Sequence, residues 1–130
     1  AAIMQQVDAG LVSLDDPVNV HIPEFQVDGL YPADRITIRH LLTHSSGFPD
    51  LAFDLQGPLG DAALSDWAAD QEEVLLHAPP GAFWNYSNPN FNLAGLVAER
   101  ASGVPYRDYL TSEVFEAAGE PAELESTARP

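Results

Sequence analysis

The sequence predicts a mainly α-helical fold, and three observations support this prediction. Apolar residues recur with the spacing of a helix face in several segments of the 130-residue chain. Proline and glycine separate most of those segments, as they do at the turns between helices. No internal repeat and no tract of low complexity interrupts the pattern. The length corresponds to one ordinary domain, which is enough to bury a hydrophobic core.

The first predicted helix covers residues 1–9 and ends at Gly10, which is placed to adopt a left-handed cap. Its apolar stripe consists of Ile3, Met4, Val7 and Leu11. No capping residue precedes Ala1, so the sequence opens in the middle of a helix. We therefore expect it to be a piece of a longer chain.

Local signals predict two shorter helices in the middle of the chain. Thr37 is a suitable N-cap for a helix over residues 38–44, and Ser65 is one for a helix that extends to about residue 74. Residues 11–25 contain two Xaa-Pro turns and predict an irregular stretch. Residues 50–60 have little periodicity and predict a loop.

The strongest helix start is Asn88-Pro89, because Asn favours the cap and Pro favours the first helical turn. The helix is predicted to end at Gly103. Its apolar face consists of Phe91, Ala94, Gly95, Ala98 and Ala101, broadened by Leu93, Leu96 and Val97. A further helix over residues 105–116 carries its apolar side on Tyr106, Tyr109, Leu110 and Val114. Residues 119–130 lose this periodicity and predict a frayed tail.

The composition excludes several classes of function. Against 20 Asp and Glu stand 5 cationic residues, all arginine, for a formal net charge of -15. Without a basic patch, we expect no binding to nucleic acid or to an anionic membrane surface, and no segment is apolar enough for a membrane span. The absence of lysine and cysteine excludes Schiff-base, P-loop and thiolate chemistry within this sequence. The acidity fits either a surface adapted to high salt or a lineage whose composition is acidic.

Two nucleophile motifs are absent from the sequence. No two glycines lie four residues apart, as a Gly-x-Ser-x-Gly elbow requires, and Ser-x-x-Lys is impossible without lysine. His40 and His44 have the i, i+4 spacing of metal ligands, with Asp50 or Asp54 as a third ligand, but Glu does not follow the first His. We favour a structural interpretation, in which one ring packs inward and the other hydrogen-bonds the following turn.

A short aromatic segment runs directly into the helix predicted at Asn88. Tyr86 and Asn88 would therefore lie at the positive end of a helix dipole, beside unpaired backbone N–H groups. This location favours a tyrosinate and makes Tyr86 a candidate for proton transfer. The alternative is that Asn88 is only a helix cap and Tyr86 only a half-buried aromatic residue.

Three stretches resemble the serine β-lactamase-like family, in the branch that holds class C β-lactamases, DD-peptidases, D-aminopeptidases and carboxylesterases. They are QQVDAGLVSLDDPVNVHIPEF within residues 1–25, ITIRHLLTHSSGFP over residues 36–49, and PGAFWNYSNPNFNLAGLVAERASGVPYRDY over residues 80–109. The resemblance implies that residues 1–118 are the helical subdomain of an α/β fold of the penicillin-binding-protein type, with the sheet largely missing.

The resemblance also implies a serine hydrolase that cleaves an ester, amide or peptide through a serine acyl-enzyme. Tyr86 matches the catalytic tyrosine that exchanges protons with the serine and the leaving group. Asn88 matches the asparagine that binds the substrate amide and a catalytic lysine. His40, His44 and Gly47 match a stretch that supports the site from behind.

Two catalytic elements of the family pattern are not found in this sequence. The Ser-x-x-Lys element would lie before Ala1 and the Lys/His-x-Gly strand after Pro130, so we expect the chain alone to be inactive and marginally stable. The alternatives are a non-catalytic binding module or pseudoenzyme, and a metal-dependent hydrolase. No cofactor is implied, and the substrate, compartment and oligomeric state are not predicted.

Overall fold

The computed structural model describes residues 1–50 and 60–119, and these residues are mainly helical. The α-helices are α1 (Ala2–Asp8), α2 (Val18–His21), α3 (Ile38–Leu42), α4 (Ala63–Ala69), α5 (Asn88–Ser102) and α6 (Tyr106–Tyr109). A 3₁₀ turn, Ala33–Arg35, precedes α3, and a π-helical segment, Leu110–Phe115, continues α6. Extended pairing within the described residues consists of two isolated bridges, Pro17 with Thr37 and Asp28 with Leu75. Most of the predicted loop over residues 50–60 and of the predicted tail over residues 119–130 lies outside the described residues, which leave out 51–59 and 120–130.

Helix α5 is the centre of the core. The six consecutive residues from Leu93 to Ala98 are buried, and α1, α2, α3, α4 and α6 all contact this helix. The side chains of Phe25, Phe48 and Leu41 are fully buried around it. Burial of this kind supplies most of the stability of short helices, which are marginal alone. The left-handed cap at Gly103 (φ 78°) ends α5 as the sequence predicts.

The apolar stripe predicted for α1 is partly wrong. Ile3 is buried, but Met4 and Leu11 are 45% and 54% exposed. Gln6 is buried in their place, because its side-chain amide donates to the carbonyl of Ala98, at 2.8 Å. One hydrogen bond thus accompanies a buried polar side chain at a position that an apolar pattern would not assign to it, while Gln6 Oε1 has no partner among the described residues.

The predicted bounds of three helices need correction. Ser65 does not cap α4 but lies inside it, since the helix begins after Ala62 and ends at Ala69. Helix α3 has the predicted cap, Thr37, but ends at Leu42 rather than at residue 44. Helix α5 begins one residue early, so that Ser87 is the N-cap and Asn88 the first helical residue.

The last predicted helix is present but not uniform. Its four predicted apolar residues, Tyr106, Tyr109, Leu110 and Val114, are half-buried against the core. The helix changes from α to π geometry at Leu110. Across the described residues, no helix has the length and apolar character that crossing a membrane would require.

Candidate active site

Tyr86 and Asn88 lie side by side at the start of α5. The phenol of Tyr86 donates a hydrogen bond to Oδ1 of Asn88, at 2.9 Å. Tyr86 is 52% exposed, so its hydroxyl group lies on the surface rather than in the core. The structure thus brings together the two site residues that the sequence singles out, with a phenol proton aimed at the amide oxygen.

Asp50 holds Asn88 from the other side. Its Oδ1 accepts hydrogen bonds from both the backbone N–H of Asn88, at 2.8 Å, and the side-chain Nδ2, at 3.2 Å. The N–H expected to be free at the start of the helix is therefore occupied. From the sequence, Asp50 was a candidate only as a metal ligand, because a contact across 38 residues leaves no spacing signal.

His44 fixes the backbone that carries Tyr86. Its Nδ1 accepts from the backbone N–H of Ser87, at 3.2 Å, and its carbonyl oxygen accepts from Asn85 N–H, at 2.7 Å. The His44 ring lies 4.6 Å from the ring of Tyr86, with an angle of 34° between the planes. His44 adopts φ 52°, a left-handed conformation that is uncommon for residues other than glycine.

A buried polar pair lies beneath this site. Ser46 Oγ donates to Oδ1 of Asn90, at 2.5 Å, and accepts from the backbone N–H of Phe48, at 3.1 Å. Asn90 Nδ2 lies 3.1 Å from Nδ1 of His44, so the pair connects to the ring behind Tyr86. Asn90 could not be singled out from the sequence, because its helical position gives no sign that a polar side chain is buried there.

His40 and His44, the pair with metal-ligand spacing, do not share a helix face. His40 lies in α3, whereas His44 follows the end of that helix in a left-handed conformation. His40 Nδ1 accepts from the backbone N–H of Thr37, at 3.1 Å, and completes a capping box. Burial lowers the pKa of His40 below 6.5, which favours the neutral ring that can accept this bond. Within residues 1–50 and 60–119, no three His, Cys, Asp or Glu side chains are grouped to hold a metal, and Asp54 lies outside those residues.

Aromatic side chains surround the candidate site. Phe83 and Trp84 are each 69% exposed and Phe91 is 51% exposed. The rings of Trp84 and Phe91 lie 6.2 and 5.1 Å from the ring of His44. An exposed apolar cluster of this kind marks a surface suited to a ligand or to another part of a protein.

Comparison with known proteins decides the family. The family model described as Beta-lactamase matches residues 1–124. The chain belongs to the beta-lactamase family. This result confirms the resemblance to serine β-lactamase-like proteins that the three sequence stretches indicate.

Relatives of this beta-lactamase-family chain include penicillin-binding protein 4* of Bacillus subtilis (strain 168). It is 31% identical over 117 residues, which cover 86% of this chain and 25% of that protein. Protein flp of Staphylococcus aureus (strain COL) is 30% identical over 112 residues, covering 85% of this chain and 22% of flp. The chain thus spans about a quarter of the length of the curated relatives it matches.

Solved structures agree with the family assignment. The penicillin binding protein from Bacillus halodurans matches this beta-lactamase-family chain with a TM-score of 0.71 and 34% identity, over 91% of the chain and 37% of that protein. The D-stereospecific amidohydrolase from Streptomyces sp. matches with a TM-score of 0.69 and 32% identity, over 91% and 38% respectively. The mainly helical structure is consistent with a helical subdomain of that fold.

Proposed function

We propose that this chain is part of a longer serine hydrolase, to which it contributes a Tyr-x-Asn element for acyl transfer. The observation that carries the proposal is the exposed hydrogen bond between Tyr86 and Asn88 at the start of α5. Family membership and neighbours such as the D-stereospecific amidohydrolase support hydrolysis of an amide, a peptide or an ester. Fold alone does not choose among these substrates.

In this proposal Tyr86 moves the proton. Tyr86 acts as the base in its tyrosinate form, after the phenol proton has been lost to solvent. A serine supplied by the rest of the protein attacks the carbonyl carbon, its proton passes to the Tyr86 oxygen, and Tyr86 then delivers that proton to the leaving group. The Asn88 oxygen holds the tyrosine hydroxyl group in place between these steps. A cationic neighbour is needed to make tyrosine an effective base, and this sequence contains no lysine to provide it.

Asn88 is proposed to bind the substrate. Its Nδ2 carries two hydrogens, of which Asp50 takes one, so the second is available to a substrate carbonyl oxygen. Its Oδ1 accepts from Tyr86 and retains a second lone pair, which suits a cationic group from the rest of the protein. The same amide can therefore connect substrate, tyrosine and cation.

A serine-directed probe tests the proposal. The complete protein, expressed from the coding sequence on both sides of this segment, is treated with a fluorophosphonate and digested for mass spectrometry. We expect a label on one serine outside residues 1–130, followed by lysine three residues later, and turnover of chromogenic esters or β-lactams. We expect the 130-residue chain alone to be unlabelled and inactive. Label on a serine within this chain, or turnover by the chain alone, would contradict the proposal.

A further inference from the structure

The geometry points to Asp50 as a positioning residue, which orients the Asn88 amide and thereby aims the Tyr86 hydroxyl group. This inference rests on the proposed function for its catalytic consequence, but the contacts themselves do not depend on that function. Asp50 makes no contact with Tyr86 among the described hydrogen bonds, so it would act through Asn88.

The orientation of the Asn88 amide follows from the chemistry of its two partners. A carboxylate oxygen accepts hydrogen bonds and cannot donate them. The end of the amide that faces Asp50 must therefore be Nδ2, and the end that faces Tyr86 must be Oδ1. An acceptor at that end requires the phenol to donate, which fixes the direction of its proton.

Asp50 also replaces the missing cap of α5. The N-cap residue, Ser87, makes no side-chain hydrogen bond to the helix. Asp50 reaches in from a segment 38 residues earlier and accepts from the N–H of the first helical residue, Asn88. A negative group at this end of a helix is stabilised by the helix dipole. Both bonds to one oxygen hold the backbone and the side chain of Asn88 as a single rigid unit.

Two substitutions at Asp50 test this role. Asp50→Ala removes the oxygen that accepts both bonds, so neither the backbone nor the side chain of Asn88 is held from this side. Asp50→Asn keeps an oxygen that can accept both bonds, so it should largely restore the orientation of the Asn88 amide. A misplaced reacting group costs up to about 100-fold in rate.

The test compares Asp50→Ala and Asp50→Asn with Asp28→Ala and Tyr86→Phe in the complete protein. Asp28 is the matched control, because its exposed carboxylate also accepts a backbone N–H, from Gly29 at 2.8 Å, and makes no described hydrogen bond to the site. We expect Asp50→Ala to lower kcat/KM about 10- to 100-fold, and Asp50→Asn to stay within about threefold of wild type. NMR of the Asn88 side-chain NH₂ should show changed chemical shifts and faster exchange with solvent in Asp50→Ala but not in Asp28→Ala.

The outcomes for Asp50 and for the proposed function can be told apart. Equal kcat/KM in Asp50→Ala and Asp28→Ala, alongside a strongly impaired Tyr86→Phe, would overturn the role of Asp50 and leave the proposed function intact. Full activity in Tyr86→Phe would overturn the proposed function. In that case the NMR comparison decides about Asp50: an altered Asn88 NH₂ signal supports orientation by the carboxylate, and an unaltered one overturns it.

Discussion

The ring of His44 lies 4.6 Å from the ring of Tyr86, while its Nδ1 accepts the backbone N–H of Ser87. One side chain thus contacts both the tyrosine ring and the chain that follows it. Because His44 is held in a left-handed conformation, the structure maintains some backbone strain at this point. Such strain persists where surrounding contacts impose it, which is consistent with a positioning role behind the candidate site.

Replacing His44 should destabilise the protein. His44→Ala removes Nδ1, which accepts the hydrogen bond from Ser87 N–H and lies next to Asn90 Nδ2. We therefore expect the free energy of unfolding to fall by about 2 kcal/mol. His44→Asn should lose less, because asparagine tolerates the left-handed region and offers an oxygen acceptor. Urea unfolding measures both, with His77→Ala, an exposed site, as the control. A loss in His44→Ala no larger than that of the control would contradict this account.

Gly47 should resist substitution for two reasons that can be separated. Its φ of 84° disfavours any side chain, and a Cβ there would overlap the carbonyl oxygen of Ala78. Gly10 has φ 77° but no atom near an added Cβ, so Gly10→Ala measures the conformational cost alone, about 1 kcal/mol. Thermal unfolding should show a clearly larger loss for Gly47→Ala. Equal losses would mean that the Ala78 segment moves away at no cost.

Two buried serines should respond in opposite ways to alanine. Ser46 Oγ bonds to Asn90 and to the Phe48 backbone, so Ser46→Ala should cost about 1–3 kcal/mol. Ser87 Oγ is buried and has no hydrogen-bond partner among the described residues, so Ser87→Ala should leave the protein at least as stable. Chemical unfolding of the two variants side by side tests this contrast. A Ser87→Ala loss as large as that of Ser46→Ala would show that Ser87 has a partner in the folded protein.

The lowered pKa of His40 predicts a pH dependence of stability. Burial favours the neutral ring, so the folded state binds fewer protons than the unfolded state as the pH falls through 6.5. The contribution of His40 to stability should therefore be full above that pH and decline below it. His40→Gln keeps a capping-box acceptor at the third helical position without titrating. Unfolding curves at pH 7.5 and 5.5 should show a smaller change in the free energy of unfolding for His40→Gln than for wild type. The control, His77→Gln, should behave like wild type. An equal change in His40→Gln and wild type would contradict the role of His40.

Local signals explain which parts of the fold the sequence could predict. Thr37 as a cap and Gly103 as a left-handed terminator act within one helical turn, and both predictions are confirmed. The start of α5 was predicted one residue late, because the tertiary contact of Asp50 replaces the local cap that Asn88 would have made. Neighbouring residues do not contain the information that sets this boundary.

The candidate site was predictable only in part, for the same reason. Tyr86 and Asn88 are two residues apart, so a short stretch that resembles the Tyr-x-Asn element of the family was enough to single them out. The other residues of the site are brought together only by tertiary packing. Asp50 and His44 come from an earlier part of the chain, and Asn90 lies within α5. Sequence analysis assigned His44 to the support of the site but could not specify its contacts.

Proton transfer by Tyr86 in acyl-enzyme formation is the step on which the proposed function depends. It is tested by the single-turnover acylation rate of the complete protein on a chromogenic ester, for Tyr86→Phe and for the control Tyr31→Phe, whose hydroxyl group makes no described hydrogen bond to the site. We expect Tyr86→Phe to acylate at least about 100-fold more slowly than wild type, and Tyr31→Phe to be unchanged. An acylation rate in Tyr86→Phe equal to that of wild type would contradict this role of Tyr86.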